Sequence, residues 1–456
     1  MFVQTVRSPG IAHLSYVVGA GAHAAVIDPR RDCHVYPRIA LENGARITHI
    51  FETHRNEDYV VGSVELADIT GAPVYHGDAL PFAYGEPVSG GEQLEVGSLR
   101  LTVIPTPGHT FESISIAVDD RAYGDDTIAV FTGDALFVGD VGRTDFFPDR
   151  AEEVAGLLYD SIFDRLLPLG DAVIVLPAHG AGSVCGGNLS ARELSTLGYE
   201  RKHNPQLQHS REQFVRHKTS ERHFSPAYFR RMEEYNLIGP PPLSQAAEPA
   251  LLSADEFADH IAQGALALDV RSPEAYGGAH LPGSLALPVD MAARLGGYML
   301  PFARPIGLIV DDTAQMRETV TQLRRIGYDN VTGYLHEGMH DWETTGREFT
   351  GMPQVHISQI KRRLDSGEPF TLLDVRTPRE YQRGHLPGAV NIYVGELADR
   401  LEEVPAARPI TTFCGSGHRA VVGASILEMN GFEQVENCLG SMMACRSQGC
   451  PLVRER

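Results

Sequence analysis

The sequence of 456 residues has no hydrophobic run long enough to cross a membrane. Its longest apolar stretches, such as AVIVLPA at 172–178, fall far short of the roughly 20 residues that a membrane-spanning helix needs. The beginning of the chain, MFVQTVRSPG, lacks the basic region and the following apolar stretch of a secretory signal. We therefore expect a cytoplasmic protein without a membrane partner.

Positive charge is also scarce. The chain has 39 Lys and Arg against 59 Asp and Glu, which gives a formal net charge of -20. No cluster of basic residues interleaved with aromatic residues offsets this excess, and a polyanion would be repelled. We therefore expect no nucleic-acid partner.

Cysteine is too scarce and too scattered for a disulfide framework, which a reducing cytosol would also oppose. Of the six cysteines, we expect Cys33, Cys438, Cys445 and Cys450 to be structural. The other two, Cys185 and Cys414, lie in glycine-containing loops and are candidates for chemistry.

An internal repeat organises the second half of the chain. LDVRSPEAYGGAHLPGSLALPV at 268–289 reappears as LDVRTPREYQRGHLPGAVNIYV at 373–394, with eleven of 22 positions identical. The offset from Asp269 to Asp374 is 105 residues, which is the size of a domain and not of a solenoid repeat. A Pro- and Ala-rich stretch at 236–250 is typical of a linker. These features predict three domains, at 1–240, 250–350 and 353–456.

Each repeat alternates apolar strands with helical stretches, which predicts an α/β domain with a parallel sheet. The first region differs, because four of its apolar strands are followed at once by His, Asp or Gly. Polar side chains at successive strand ends predict a metal site at the edge of a sheet. Four segments carry it: THRNEDY (53–59), TPGHT (106–110), FTGDALF (131–137) and LPAHG (176–180).

Together the four segments resemble the metallo-β-lactamase superfamily, which implies an αββα sandwich. In that family the first segment reads HxHxDH and loads two zinc ions, but here Asn56 and Tyr59 replace two of the histidines. His54, His109 and Asp134 remain in ligand positions, with Asp58 and His179 left over. Two histidines and one carboxylate with open positions are typical of non-haem Fe(II) oxygenases. We therefore expect one Fe(II) per chain, with zinc as the alternative.

This ligand set matches the persulfide dioxygenases, a branch of the superfamily. The resemblance extends to VGRTDF at 141–146, where Arg143 matches a basic residue of the substrate pocket, and to Thr110 beside His109. Asn56 and Tyr59 are candidates for orienting ligands or bound oxygen. Cys185, in HGAGSVCGG, is a candidate for holding sulfur from the substrate, and the alternative is a small buried residue.

In the last domain a strand runs into CGSGHR and then into a helical stretch. Successive backbone N–H groups and the helix dipole would stabilise a thiolate and a bound anion at the start of such a loop. The pattern resembles rhodanese sulfurtransferases, with Cys414 as the nucleophile and Arg419 closing the anion pocket. The loop residues Gly415, Ser416, Gly417 and His418 lie between them, and the C-x4-R spacing favours sulfur transfer over phosphatase chemistry.

The first repeat lacks this chemistry, because the alignment places Asp311 at the nucleophile position and Met316 at the position of Arg419. A carboxylate cannot carry a persulfide, so we expect an inactive spacer or docking domain.

The overall resemblance is to fusions of a persulfide dioxygenase with rhodanese domains. It implies oxidation of a small thiol persulfide by O2 to sulfite and thiol, with transfer of sulfur through Cys414 to give thiosulfate. We also expect a homo-oligomer. Two alternatives stay open: a zinc thioester hydrolase of the glyoxalase II kind fused to a sulfurtransferase, and a sulfur-binding or sensing protein.

Overall fold

The computed structural model describes residues 1–183, 186, 189–405 and 407–454. It divides into two compact units. Unit one comprises Met1–Ala246 with Arg324–Gly327, and unit two comprises Ala247–Leu323 with Tyr328–Arg456. No helix within the described part is long and apolar enough to cross a membrane. The division into three domains stays a prediction.

Unit one contains two six-stranded sheets, in the orders β1-β2-β3-β4-β5-β6 and β12-β11-β10-β9-β8-β7. The strands of the first sheet are β1 (Phe2–Ser8), β2 (His13–Ala20), β3 (His23–Ile27), β4 (Arg46–Phe51), β5 (Val74–Gly77) and β6 (Glu86–Val88). Those of the second are β7 (Gln93–Val96), β8 (Leu99–Pro105), β9 (Ile114–Asp120), β10 (Thr127–Gly133), β11 (Ile174–Pro177) and β12 (Ser195–Thr196).

Six helices accompany these sheets: α1 (Val35–Glu42), α2 (Ser63–Thr70), α3 (Ala151–Asp160), α4 (Leu197–His203), α5 (Arg211–Ser220) and α6 (Phe229–Ile238). Central strands such as β2 and β9 are buried on both faces, because one face packs on the other sheet and the opposite face packs on helices. Tyr16 and Ile116 belong to the core between the sheets. Val26 packs with Ile39 of α1, and Val130 packs with Leu158 of α3. The unit is the predicted αββα sandwich.

The ends of β4, β8, β10 and β11 position the polar residues. β10 and β11 run parallel, so the residues that follow them leave the sheet at the same edge. The turn between β8 and β9 carries His109, and the loop after β4 carries His54.

Unit two contains two five-stranded sheets, ordered β13-β17-β16-β14-β15 and β18-β22-β21-β19-β20. All described pairings within them are parallel. The first repeat consists of β13 (Ala250–Leu252), α7 (Ala254–Ala262), β14 (Leu266–Asp269), α8 (Pro273–Gly278), β15 (Leu285–Ala286), α9 (Ala292–Met299), β16 (Ile306–Ile309), α10 (Thr313–Arg325), β17 (Val331–Leu335) and α11 (Met339–Thr344).

The second repeat consists of β18 (Gln354–His356), α12 (Ile357–Ser366), β19 (Thr371–Asp374), α13 (Pro378–Gln382), β20 (Val390–Asn391), β21 (Ile410–Phe413), α14 (His418–Met429), β22 (Val435–Leu439) and α15 (Ser441–Ser447). The two sheets have the same strand order, so the sequence repeat is a repeat of topology. The predicted α/β class with parallel sheets is confirmed.

Candidate metal centre and sulfur-transfer loop

Three buried side chains, those of His54, His109 and Asp134, meet at the edge of the sandwich. Their donor atoms all lie within 4.8 Å of one another. Asp134 Oδ2 is 3.5 Å from His109 Nε2 and 3.8 Å from His54 Nε2. His109 Nε2 and Asp134 Oδ2 have no hydrogen-bond partner. Buried polar atoms without partners are costly, and two imidazoles with a carboxylate are good metal donors, so the group fits a metal ion.

Hydrogen bonds behind the two histidines leave their Nε2 atoms free to bind an ion. His109 Nδ1 donates to the carbonyl of Arg143 at 3.0 Å. His54 Nδ1 donates to Thr53 Oγ1 at 2.9 Å, because that hydroxyl itself donates to Asp28 Oδ2 at 2.8 Å. Burial lowers the pKa of His54 to about 4, so the ring is neutral at pH 7. Such outer contacts fix the ring tautomer of metal-binding histidines.

Gly133, directly before Asp134, permits this close packing. Its φ is +51°, and an added Cβ would lie 2.6 Å from Thr53 Oγ1. Any side chain at this position would push Thr53 away from His54.

His179 lies between two carboxylates. Its Nδ1 donates to Asp134 Oδ1 at 2.7 Å, and its Nε2 is 3.0 Å from Asp58 Oδ2. Burial acts to lower the pKa of His179, but Asp134 and Asp58 outweigh it and raise the pKa well above its usual value. In the same way, burial acts to raise the pKa of Asp134, yet the neighbouring histidines hold it well below its usual range. His179 and Asp58 therefore orient Asp134 in this structure.

Asn56 and Tyr59, which replace two family histidines, are buried in the same loop. Asn56 Nδ2 donates to the carbonyl of His54 at 3.1 Å. Asn236 donates to the carbonyls of Asn56 and Tyr59, at 2.7 Å each. The Tyr59 ring lies 4.1 Å from that of His13. These contacts shape the loop, and a role for either residue in orienting bound oxygen stays a prediction.

Thr110 and Arg143 lie next to His109 but direct their polar groups elsewhere. Thr110 Oγ1 donates to Glu112 Oε1 at 2.8 Å. The fully buried Arg143 guanidinium pairs with both oxygens of Asp145, at 2.7 and 2.6 Å, and also donates to Ser225. Its carbonyl holds His109, so Arg143 positions a donor of the group. The geometry does not favour the predicted contact of its charge with substrate, which stays a prediction.

Sequence reasoning missed four buried residues at this site: Asp28, Thr53, Glu57 and His13. Glu57 lies in the HRNEDY segment, and its Oε2 is 3.5 Å from His109 Nε2. An acidic residue inside a ligand segment is a signal that could have been read. Asp28 and His13 come from other strands, and no local pattern marks them.

In unit two, Cys414 follows β21 and lies under the start of α14. The backbone N–H of Gly417 donates to Cys414 Sγ at 3.1 Å, and the N–H of Cys414 donates to Ser441 Oγ at 3.1 Å. The loop is closed on its other side, where the carbonyls of Gly415 and Ser416 each accept a hydrogen bond at 2.9 Å, from the N–H groups of Met443 and Gly440. This is the predicted strand, tight loop and helix.

The two charged loop residues are both paired. Arg419 donates through two nitrogens to Glu380, at 2.7 Å each, and Glu380 also caps α13. Burial opposes it, but Arg419 lowers the pKa of Glu380 to about 2. His418 Nδ1 donates to Asp290 of the first repeat at 2.8 Å. Sequence reasoning missed Glu380 and Asp290.

Cys185 and Asp311 are two further residues that the sequence singled out. Cys185 lies outside the described residues. Asp311 is exposed at the end of β16, where its N–H donates to Gln315 Oε1 at 2.7 Å. The strand registers align Ile309 with Phe413, because they pair with Asp269 and Asp374, so Val310 and not Asp311 follows the strand at the position of Cys414, which corrects the alignment made from the sequence. The offset of 105 residues between Asp269 and Asp374 places Ala275 where the second repeat has Glu380. The first repeat has therefore lost both members of the arginine–glutamate pair.

Comparisons with known proteins match different families to the first and second parts of the chain. The model of the metallo-beta-lactamase superfamily matches residues 9–179, and that of the rhodanese-like domain matches 253–345 and 356–448. A solved metallo-beta-lactamase from Staphylococcus aureus subsp. aureus COL is 31% identical; the match covers 74% of this chain and 98% of that one, with a TM-score of 0.66. The chain belongs to the metallo-β-lactamase superfamily. It carries two rhodanese-like domains.

Two relatives match less than half of the chain. A protein of Mycobacterium leprae, described as uncharacterised, is 30% identical over 216 residues, or 41% of this chain and 89% of its own. The mitochondrial persulfide dioxygenase ETHE1 of Bos taurus is 28% identical over 224 residues, or 47% of this chain and 80% of its own. The His-His-Asp group and the membership of the superfamily support a metal site in this chain.

Proposed function

We propose that this superfamily member is an Fe(II) persulfide dioxygenase joined to a sulfurtransferase. The observation that carries the proposal is the buried group of His54, His109 and Asp134, whose free donor atoms form a mononuclear ligand set. The reaction consumes one thiol persulfide, one O2 and one water, and yields one thiol and one sulfite with two protons.

Each residue of the centre has a defined task. His54, His109 and Asp134 would hold the ion, and His179 would keep Asp134 turned toward it. Fe(II) held there would supply open coordination positions for the persulfide sulfur and O2, and the redox capacity for the oxidation. All three donors are buried, which would limit the access of bulk water to an ion held there.

The second step uses the rhodanese loop. The Cys414 thiol takes the outer sulfur of a persulfide, which releases the thiol and leaves a Cys414 persulfide. Sulfite then attacks that outer sulfur, forms thiosulfate and regenerates the thiol. The N–H of Gly417 stabilises the charge on Cys414 Sγ during both transfers. Because each repeat position that supports this chemistry is lost in the first rhodanese-like domain, we propose that this domain is inactive.

The geometry gives less support to a zinc thioester hydrolase with two ions. Such a site needs Asp58 and His179 as ligands of a second ion. Here His179 Nδ1 donates to Asp134 Oδ1 at 2.7 Å, so this ring is held against a donor of the first group. The described residues contain one group with metal-ligand geometry, and it includes neither of them.

The deciding experiment measures O2 uptake by the Fe(II)-loaded chain with glutathione persulfide or coenzyme A persulfide, and quantifies sulfite and thiosulfate in the same sample. We expect iron-dependent uptake and both oxyanions. His109→Ala should abolish uptake, whereas Cys414→Ser should retain uptake and accumulate sulfite without thiosulfate.

Absence of uptake with either persulfide, in a sample whose Cys414 still transfers sulfur, would refute the dioxygenase and favour the hydrolase. Turnover that is unchanged in Cys414→Ser, with the same product ratio, would instead refute the coupled transfer.

A further inference from the structure

Glu57 is a buried carboxylate without a hydrogen-bond partner. Its side chain is fully shielded from solvent, and neither Oε1 nor Oε2 accepts a hydrogen bond. The nearest cation is the guanidinium of Arg55, with Nη2 3.5 Å from Oε1, and Arg55 is shared with Glu233 at 3.3 Å. The His109 ring is equally near, 3.5 Å from Oε2, and compensates this carboxylate when it is protonated. Once His109 Nε2 is a neutral metal donor, the bound ion must take over that compensation.

The free oxygen of Glu57 faces the metal group. Oε2 lies 3.5 Å from His109 Nε2, the same distance that separates this nitrogen from Asp134 Oδ2. Two donors bound at right angles to one first-row ion, each about 2.1 Å from it, lie about 3 Å apart. Both separations are close to that value, and all three atoms have no hydrogen-bond partner. Glu57 is near His109 but outside the three-residue group whose donor atoms all lie within 4.8 Å of one another, so binding the same ion requires its side chain to move toward the other donors.

The net charge of the site also favours a second carboxylate close to the ion. Two neutral imidazoles and one carboxylate leave a divalent ion with a net positive charge in a buried site. A second carboxylate makes the site neutral and thereby removes most of the desolvation cost of both the ion and Glu57.

We propose that Glu57 is the fourth protein ligand of the metal ion. The centre is then a two-histidine, two-carboxylate site, which leaves two coordination positions, one for the persulfide sulfur and one for O2. This inference rests on the proposed metal centre. Carboxylate-rich sites suit iron and manganese better than zinc, so Glu57 also biases the choice of ion toward iron.

The test uses Co(II) as a spectroscopic probe, titrated anaerobically into the full chain without substrate. Affinity comes from competition with a chromophoric chelator, and the d–d bands report the donor set. We expect Glu57→Ala to lower the affinity at least about ten-fold and to change the band positions and intensities. The control, Glu233→Ala, removes the other carboxylate on Arg55 and should keep both affinity and spectrum.

An unchanged spectrum in Glu57→Ala, or an equal change in Glu233→Ala, would overturn the assignment. If Glu57→Ala fails to fold, Glu57→Gln retains the shape and is judged by the same two readouts. The outcome is separable from that of the proposed function. A Co(II) effect without O2 uptake would leave Glu57 as a ligand and reject the dioxygenase, whereas O2 uptake without a Co(II) effect would do the reverse.

Discussion

The side chains at the candidate metal centre are of two kinds. Some would bind the ion, and others hold the binding side chains in position. His179 belongs to the second kind, because its Nδ1 donates to Asp134 Oδ1 at 2.7 Å, while its Nε2 lies 3.0 Å from Asp58 Oδ2. Without it, Asp134 would be free to rotate and would lose its nearest positive neighbour. The same applies to the carbonyl of Arg143, which fixes the ring of His109.

His179→Ala should therefore lower the affinity for the metal by about 10- to 100-fold, because it removes a residue that hydrogen-bonds to a metal ligand. The measurement is anaerobic Fe(II) or Co(II) titration of the variant. His203→Ala, which removes an exposed histidine of α4, is the matched control and should leave the affinity unchanged. Equal affinity in the two variants would contradict a positioning role for His179.

The sequence contained enough to predict the three donors, because each follows a strand in a recognisable segment. It did not reveal Thr53 and Asp28, since their effect on His54 exists only after β3 and β4 pair. For Arg143 the segment predicts a contact with substrate, and that contact stays a prediction. A basic residue in a matching segment does not say whether its charge is free, and here Asp145 holds it.

Among the elements, the two repeats show which identical residues serve the fold. Arg271 pairs with Asp269, and Arg376 pairs with Asp374, each at 2.6 Å. Tyr276 stacks on His280, and Tyr381 stacks on His385, at 3.8 and 3.7 Å. These contacts tie each second strand to the helix that follows, which is why the sequence repeat could predict a repeated fold. The loop that differs, at Cys414, carries the chemistry.

Gly417 joins the Cys414 loop to α14, and its replacement should impair sulfur transfer. Its φ is +112°, and an added Cβ would lie 3.3 Å from the Leu439 Cα. Gly417→Ala should cost about 1–2 kcal/mol and displace the N–H that contacts Sγ. The measurement is sulfur transfer from thiosulfate to cyanide, together with the melting temperature.

Gly367→Ala is the control, since that glycine also has a positive φ but an added Cβ would meet nothing within 4 Å. It should lower the melting temperature without loss of transfer. If Gly417→Ala transferred sulfur as fast as this control, the N–H contact would have no role in the reaction.

The contact between Asp290 and His418 links the first repeat to the active loop, and it depends on pH. The hydrogen bond from Asp290 raises the pKa of His418 above its usual value, so the contact contributes its full stability below the unfolded value of 6.5. This contribution is lost as pH rises through the native pKa. Because His418 is partly exposed, screening limits it to about 0.2–1 kcal/mol.

Asp290→Asn should therefore lower the melting temperature at pH 6 and have little effect at pH 9. Asp259→Asn, at an exposed position of α7, should show no such dependence on pH. A constant difference across this range would mean that the charge on His418 does not contribute.

At the scale of the whole molecule, the two chemistries occupy different compact units. All proposed metal donors belong to unit one, and all described contacts of Cys414 belong to unit two. The linker and the internal repeat predicted several domains, and the repeat located the two rhodanese-like ones. The sequence could not predict which residues contact each site, because these contacts join residues that are far apart in the sequence.

Because the proposed metal donors and the described contacts of Cys414 belong to separate compact units, removal of the metal should separate the two activities. After chelation and desalting, we expect the protein to lose iron-dependent O2 uptake and to retain sulfur transfer within about two-fold, since the thiolate is stabilised by backbone N–H groups and not by an ion. Adding Fe(II) back should restore O2 uptake alone. A parallel loss of both activities on chelation, with both restored by Fe(II), would show that unit two depends on the metal of unit one and would contradict this separation.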